Sequence, residues 1–370
     1  MSLQTNNAFT IGVEEEYQII DPQTRELSQS AQQIYPLAHD LLGEAVQYEM
    51  ILSQIEIATP ICHTLADVQA ELVRLRSGII AAAGQTRKLI AAGGTHPFSH
   101  WKDQTTTPKD RYEDLIATYQ QLIREQVIFG LHIHIGIADR DVAMQVANRA
   151  RLWLAPLIAL TANSPFWIGE DTGYQDYRTG LWWTVPLSGP PPYFASYKSY
   201  RDTIQELFDT HCIEDPTKIY WDLRLSERFP TLEFRVMDVC MTVSETVAMT
   251  GLVRALVRTC YEQVERQTDY PKPSTDFLRA LHWRAARYGL NELLVDVPTQ
   301  RSFPAREYVE EFLAFLRPAL EAEGDWYRVS RGVRLILEHG NGADRQLAVF
   351  KQTGNLTSVV DYVIEETRRF

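Results

Sequence analysis

Five short segments of this chain alternate apolar and charged residues with a period of two: GVEEEY (12–17), QIEIA (54–58), GLHIHIG (130–136), WDLR (221–224) and LEFRVMD (232–238). Successive side chains on a β-strand point to opposite faces. Each segment is therefore expected to be a strand with one oily face and one polar face. Glu14 and Glu16 share a face, with Glu15 turned away; Gln54 and Glu56 share one against Ile55 and Ile57. His132 goes with His134 against Ile133 and Ile135, Asp222 with Arg224, and Glu233 with Arg235 against Phe234 and Val236. If the strands lie side by side, their polar faces form a floor of Glu, His and Arg, and the oily faces pack on helices.

Any one of these segments alone reads equally well as the solvated face of an antiparallel sheet, and the glutamate run alone as a charge-protected edge strand. The combination says more. Carboxylates held close together repel one another, and a divalent cation offsets that repulsion. Several carboxylates, one or two histidines and positions left open for phosphate oxygens suit Mg²⁺ or Mn²⁺. Arginines beside such a site would stabilise a phosphoryl group in transfer.

The first strand is expected over 9–20, closed by Asp21-Pro22. A long helix follows from an N-cap at Thr64, with Asp67 in third position, and runs to Gly93-Gly94. Helical patterns cover 109–125 and 139–162, on either side of a strand at 127–137. Strands fit 220–224 and 231–238, and about five helical segments fill the chain after residue 243. The stretch 163–195, rich in Gly, Pro, Trp and Tyr, has no sustained period. An irregular loop of that length is usually functional, so it is the expected lid or pocket wall. No repeat or linker divides the chain, and residues 1–370 are read as a single catalytic domain. The fold class is α+β: an antiparallel or mixed sheet with helices packed on one face.

The formal net charge of −12 argues against non-specific binding to nucleic acid or acidic membranes. The longest apolar run, LWLAPLIAL at 152–160, is too short to span a bilayer. The initial MSLQTNNAF has no basic segment followed by an apolar core. Cys62, Cys212, Cys240 and Cys260 form no C-x-x-C pair, so reduced thiols and a cytoplasmic location are expected. Neither a P-loop nor a G-x-G-x-x-G is present, so any ATP is bound by a different fold. In DTGYQDYR (171–178), Arg178 could meet a substrate carboxylate or make an ordinary loop salt bridge. In HGNGADRQ (339–346), Arg345 and Gln346 either contact a nucleotide or sit on a helix-linking turn.

The segments TIGVEEEYQI, SQIEIATP, GLHIHIGI, SPFWIGEDTGYQDYR, WDLRLSERFPTLEFRVMDV and NGADRQ occur in this order between residue 10 and about 346. Together they resemble the YbdK-type carboxylate–amine ligases, also called the glutamate–cysteine ligase type 2 family. The resemblance implies a glutamine-synthetase-like catalytic fold whose curved, mainly antiparallel sheet is the active-site floor. It implies ATP-driven amide bond formation through an acyl phosphate, with glutamate and cysteine as reference substrates. Carried over, the metal ligands are Glu14, Glu16, Glu56, Glu233 and a histidine, His132 in preference to His134 because it follows Gly-Leu directly. Glu233 and Arg235 are then catalytic. Arg235 contacts the phosphates, with Arg224 and Arg345 as further nucleotide contacts. A homodimer follows from family habit. A metal-dependent hydrolase and a catalytically silent binding protein of the same fold are the alternatives.

Overall fold

Seven strands form one antiparallel sheet in the computed structural model, which describes residues 9–370. The initial MSLQTNNA, where the leader was sought, lies outside the described residues. The strands are β1 (Ile11–Ile20), β2 (Val46–Tyr48), β3 (Gln54–Ala58), β4 (Leu89–Ala91), β5 (Gly130–Gly136), β6 (Leu223–Leu225) and β7 (Thr231–Asp238). Their order is β6-β7-β5-β1-β3-β2, and β4 pairs with the second half of β1. Gln18 of β1 faces Gln54 on β3 and Ala91 on β4, so β4 lies along the same edge of β1 as β5.

Helices cover the oily face. The Leu65–Gln85 helix starts at a capping box: Thr64 Oγ1 accepts from the Asp67 N–H, and the Asp67 carboxylate accepts from the Thr64 N–H. Its buried positions Leu65, Val68, Leu72, Leu75 and Ile79 recur every three or four residues, one stripe of a helix. A second box, Thr242 with Glu245, opens the Val243–Glu265 helix, which is buried for most of its length. Two apolar clusters result. One joins Ile11, Val13, Ile133, Ile135 and Phe234 to Leu72, Met144 and Leu252. The other joins Tyr17, Ile55 and Ile57 to Leu75, Ile79 and Val360. The α+β expectation holds.

Several local expectations change. The long helix ends at Gln85, not Gly93; Arg87, at φ 57°, turns the chain and Leu89–Ala91 joins the sheet. Gln120, at φ 50°, breaks the 109–125 helix in two. A 3₁₀ turn at Arg151–Trp153 interrupts 139–162. After residue 243 there are six helices and a hairpin of Leu293–Asp296 with Arg301–Pro304. The 163–195 stretch holds a six-residue helix, Tyr177–Trp182, and a short parallel pairing of Ser188–Gly189 with Tyr220–Trp221. Among the described residues no helix is long and apolar enough to cross a membrane.

Candidate functional site

Register assembles the polar floor. Arg224 lies opposite Glu233, Glu233 opposite His134, and His134 opposite Gly12; Glu14 lies opposite His132. Two residues further along β1, Glu16 faces Glu56, which in turn faces Gln47. Cross-strand partners share a face, so all these side chains stand on the same side of the sheet.

Two groups of ligand atoms form there. Those of Glu14, His134 and Glu233 lie within 4.8 Å of one another, and so do those of Glu16, Glu49 and Glu56. Glu14 and Glu16 are separated by two strand residues, roughly 7 Å at the rise of a β-strand. His134 is set up as a ligand: Nδ1 lies 3.0 Å from the Thr231 hydroxyl, while Nε2 is buried without a hydrogen-bond partner, 3.4 Å from Glu14 Oε1. A hydrogen bond on one ring nitrogen fixes which nitrogen is free for a metal. Oxygen donors with one imidazole fit Mg²⁺ or Mn²⁺.

The electrostatics separate the two groups. Burial pushes the Glu233 carboxyl up, but Arg235 and Arg224 outweigh it and hold it well below the usual range. Arg224 donates to Glu233 through Nε at 2.8 Å and Nη2 at 3.2 Å, and Arg235 pairs with the same carboxylate. Glu16 behaves oppositely. Burial, then the charge of Glu49, pushes it up to about 7, although the Gly130 N–H donates to it at 2.5 Å. Glu56 rises well above the usual range, through burial first and then Glu49, Glu14 and Glu16. Arg178 and Arg235 offset only part of this for Glu16, and the repulsion left among the three carboxylates is what a divalent ion would relieve.

Glu15, the middle glutamate, serves the other face. Fully buried Arg76 donates to it at 2.6 and 3.0 Å, the Thr246 hydroxyl at 2.6 Å, and Tyr17 also donates to it. Arg76 in turn reaches the carbonyls of Met241 and Cys240 at 2.7 and 3.0 Å. This pair sits at the seam between the two apolar clusters. Alternation therefore makes the run of three tolerable: two glutamates face the floor and one is neutralised beneath it.

A β-bulge shapes the Arg235 end. Phe234 pairs with Ile133 but Met237 with Leu131, so β7 carries one extra residue between them. Bulges re-aim side chains beside active sites. Strict alternation would put Asp238 on the oily face with Phe234; the extra residue brings it opposite Gly130, on the polar face. There Arg178 Nη1 lies 3.9 Å from Asp238 Oδ1, and Arg178 Nη2 donates to the Arg235 carbonyl at 3.3 Å.

Glu14, Glu16, Glu56, Glu233, Arg224, Arg235 and Arg178 thus meet on or beside one floor. Two of the expected residues lie outside these ligand groups. His132 enters neither ligand group: its Nδ1 lies 3.1 Å from Glu14 Oε2 with Arg235 against it, and burial, then Arg235, keeps it neutral, lowered to about 4. His134, which β5 pairs with Glu233, is the histidine whose ring nitrogen joins a carboxylate group. Arg345 is away from the floor altogether. Its helix, Gly342–Thr353, begins at the Asn341 capping box, and its guanidinium pairs with Glu245 and, at 3.4 Å, with Glu366 on the helical side. Those two carboxylates are its partners.

A family model described as glutamate-cysteine ligase family 2 (GCS2) matches residues 10–362. The chain belongs to this family. A protein of Solibacter usitatus named "Putative glutamate--cysteine ligase 2" is 41% identical over 361 residues, covering 97% of this chain and 94% of that one. One of the same name from Roseiflexus sp. is 40% identical, covering 97% and 94%. Among solved structures, the glutamate–cysteine ligase of Francisella tularensis in complex with AMP superposes with a TM-score of 0.74 at 13% identity, over 98% of this chain and 90% of that one. A bifunctional glutathione synthetase from Pasteurella multocida gives 0.71 at 15%, over 98% and 52%. At such identities the likeness is one of fold.

Within this family-2 fold, four site residues escaped the sequence reading. Glu49 follows a three-residue strand too short to show a period. Thr231 matters only through its register with β5. Asp238 is hidden by the bulge. Gly130 sits under Arg178, where an added Cβ would collide with the guanidinium.

Proposed function

We propose that this family-2 protein joins a carboxylate to an amine, driven by ATP, with glutamate and cysteine as the reference pair. The observation that carries the reading is the pair of adjacent ligand groups on one sheet face, Glu14–His134–Glu233 and Glu16–Glu49–Glu56, flanked by Arg224, Arg235 and Arg178. The names of the relatives and the AMP in the Francisella enzyme support it.

Glu14, His134 and Glu233, with Glu16, Glu49 and Glu56, would hold Mg²⁺ or Mn²⁺, which would supply positive charge against that developing in transfer. Arg235 and Arg224 donate to the oxygens of the moving phosphoryl group. Arg178, whose Nε lacks a partner, anchors the substrate carboxylate. The substrate carboxylate oxygen attacks the γ-phosphorus and ADP leaves, giving an acyl phosphate. The amine then attacks the acyl carbon, phosphate departs, and the amine gives up a proton. Water must be excluded while the acyl phosphate exists, the role we assign to the 163–195 wall. A single catalytic domain, a cytoplasmic location and a homodimer complete the proposal.

The test is ADP release with Mg-ATP and pairs of amino acids, glutamate plus cysteine among them. ADP formation that requires both partners, with the matching dipeptide seen by mass spectrometry, is the expected result. Failure of the protein to bind ATP in the presence of magnesium would sink the reading.

A further inference from the structure

The deeply buried arginines of this protein have carboxylate partners, with two exceptions. Arg76 has Glu15, Arg254 has Asp325 and Glu323, and Arg178 has Asp238. Arg149 and Arg151 are 6% and 1% exposed, and among the described residues no carboxylate pairs with either. Arg149 donates through Nη1 to the Gln145 carbonyl and through Nη2 to that of Thr268, at 3.1 Å each; its Nε is buried without a partner. Of five guanidinium N–H groups, two are matched. Arg151 donates to the carbonyls of Pro191 and Pro273, and its Nε is also unmatched.

A third cation joins them. The Arg149 guanidinium carbon stacks 4.0 Å from the Tyr270 ring centre, and Arg151 lies 6.0 Å from that of Tyr193. The Lys272 ammonium lies 5.0 Å from Tyr193 and 5.9 Å from Tyr270. Three positive charges thus surround two tyrosines. Beside them opens a cleft of about 280 Å³, lined by Arg149, Lys272, Tyr270, Gln145, Gln267 and Thr268. The one acid in its wall, Asp269, is exposed and makes no ion pair among the described residues. The Tyr270 hydroxyl is buried and unmatched. Aromatic faces compensate only part of the cost of burying a guanidinium. Positive charge thus exceeds negative charge here, and the Nε of both arginines is left without an acceptor.

We propose that this cleft binds a small multivalent anion, bearing phosphate or clustered carboxylates, at a site separate from the carboxylate floor. The separation follows from the fold. The Arg140–Ala150 helix buries Ala143, Met144, Val146 and Ala147 in the cluster that contains Ile133, Ile135, Leu223 and Phe234, the oily face opposite His134 and Glu233. The inference does not depend on the ligase reading.

The test is calorimetric titration of the whole protein, without nucleotide or divalent metal, by inorganic phosphate and in parallel by citrate. Saturable binding of at least one is expected, weakening as salt is added. Lys272 is exposed and outside the catalytic floor. Lys272→Met should weaken binding by about tenfold, the loss of one charge contact. Arg149→Gln should remove it; if that variant does not fold, Lys272→Met and Thr268→Val carry the test. The tighter of the two anions identifies the recognised chemistry. Absence of binding by both anions, or binding that Lys272→Met leaves unchanged, overturns the proposal.

Discussion

Arg178 lies over Gly130, in the space a side chain there would fill, while the N–H of the same residue donates to Glu16. Gly130 is ordinary strand with no positive φ, so the glycine provides room rather than unusual backbone freedom. The contact couples a cation of the wall to a carboxylate of the floor.

Gly130→Ala should therefore keep the fold and move Arg178 off the Arg235 carbonyl and Asp238. We expect KM for the carboxylate substrate to rise about tenfold, equivalent to about 1.4 kcal/mol, with a smaller change in kcat. Steady-state kinetics with each substrate varied in turn checks this, and an unchanged KM would exclude Arg178 as the anchor.

Arg76→Met should be among the most destabilising single changes. It leaves Glu15 fully buried without its cation, and breaking such a pair from one side costs about 3–5 kcal/mol. Urea denaturation measures it. The double variant with Glu15→Gln should recover part of the loss, since the unpaired charge is then gone.

His134→Gln and His132→Gln discriminate between neighbours of identical chemistry. Loss of a direct ligand should weaken Mn²⁺ binding by two orders of magnitude or more, whereas a partner of a ligand changes affinity by about 10–100-fold. The larger loss is expected at His134. Paramagnetic titration with Mn²⁺ reads the difference without any assay of turnover, and the reverse order would restore His132 as the ligand.

The pH dependence of stability should reveal the Glu16 group. Burial raises the folded Glu16 carboxyl from 4.5 to about 7, so between those values the folded state binds more protons than the unfolded one. Stability of the metal-free protein then falls as pH rises through that window, by about 3 kcal/mol from this residue at most. Adding Mg²⁺ or Mn²⁺ should flatten the slope, because the cation takes the place of the proton. Thermal midpoints at pH 5 and pH 8, with and without metal, decide it.

What could be read from the sequence was whatever is encoded locally. The bounds of β3 and β7, and the Thr64–Asp67 cap, follow from alternation and capping within a few residues. The placement of Glu14, Glu16, Glu56 and Glu233 on one face needed only the period of two. The rest depends on partners distant in the chain. β2 and β4 are three residues each and form because β3 and β1 offer open edges. His132 and His134 are equivalent until register sets one beside Glu233. The NGADRQ turn marks a helix start, as its residues suggest, but packing turns Arg345 toward Glu245 and Glu366.

The extra residue in β7 has a counterpart in the genetic code. Everything C-terminal to it is read in a shifted phase, so that Asp238 faces Arg178 instead of the oily layer. Drawn out as a regular strand with Val236 kept, β7 would hand Asp238 to the oily layer, a frameshift confined to one strand. With Val236 deleted, the plain period of two would keep Asp238 opposite Gly130, and only the bend would be lost. Residue count and bulge therefore set the phase of this strand together, and neither can change alone without turning Asp238 away from Arg178.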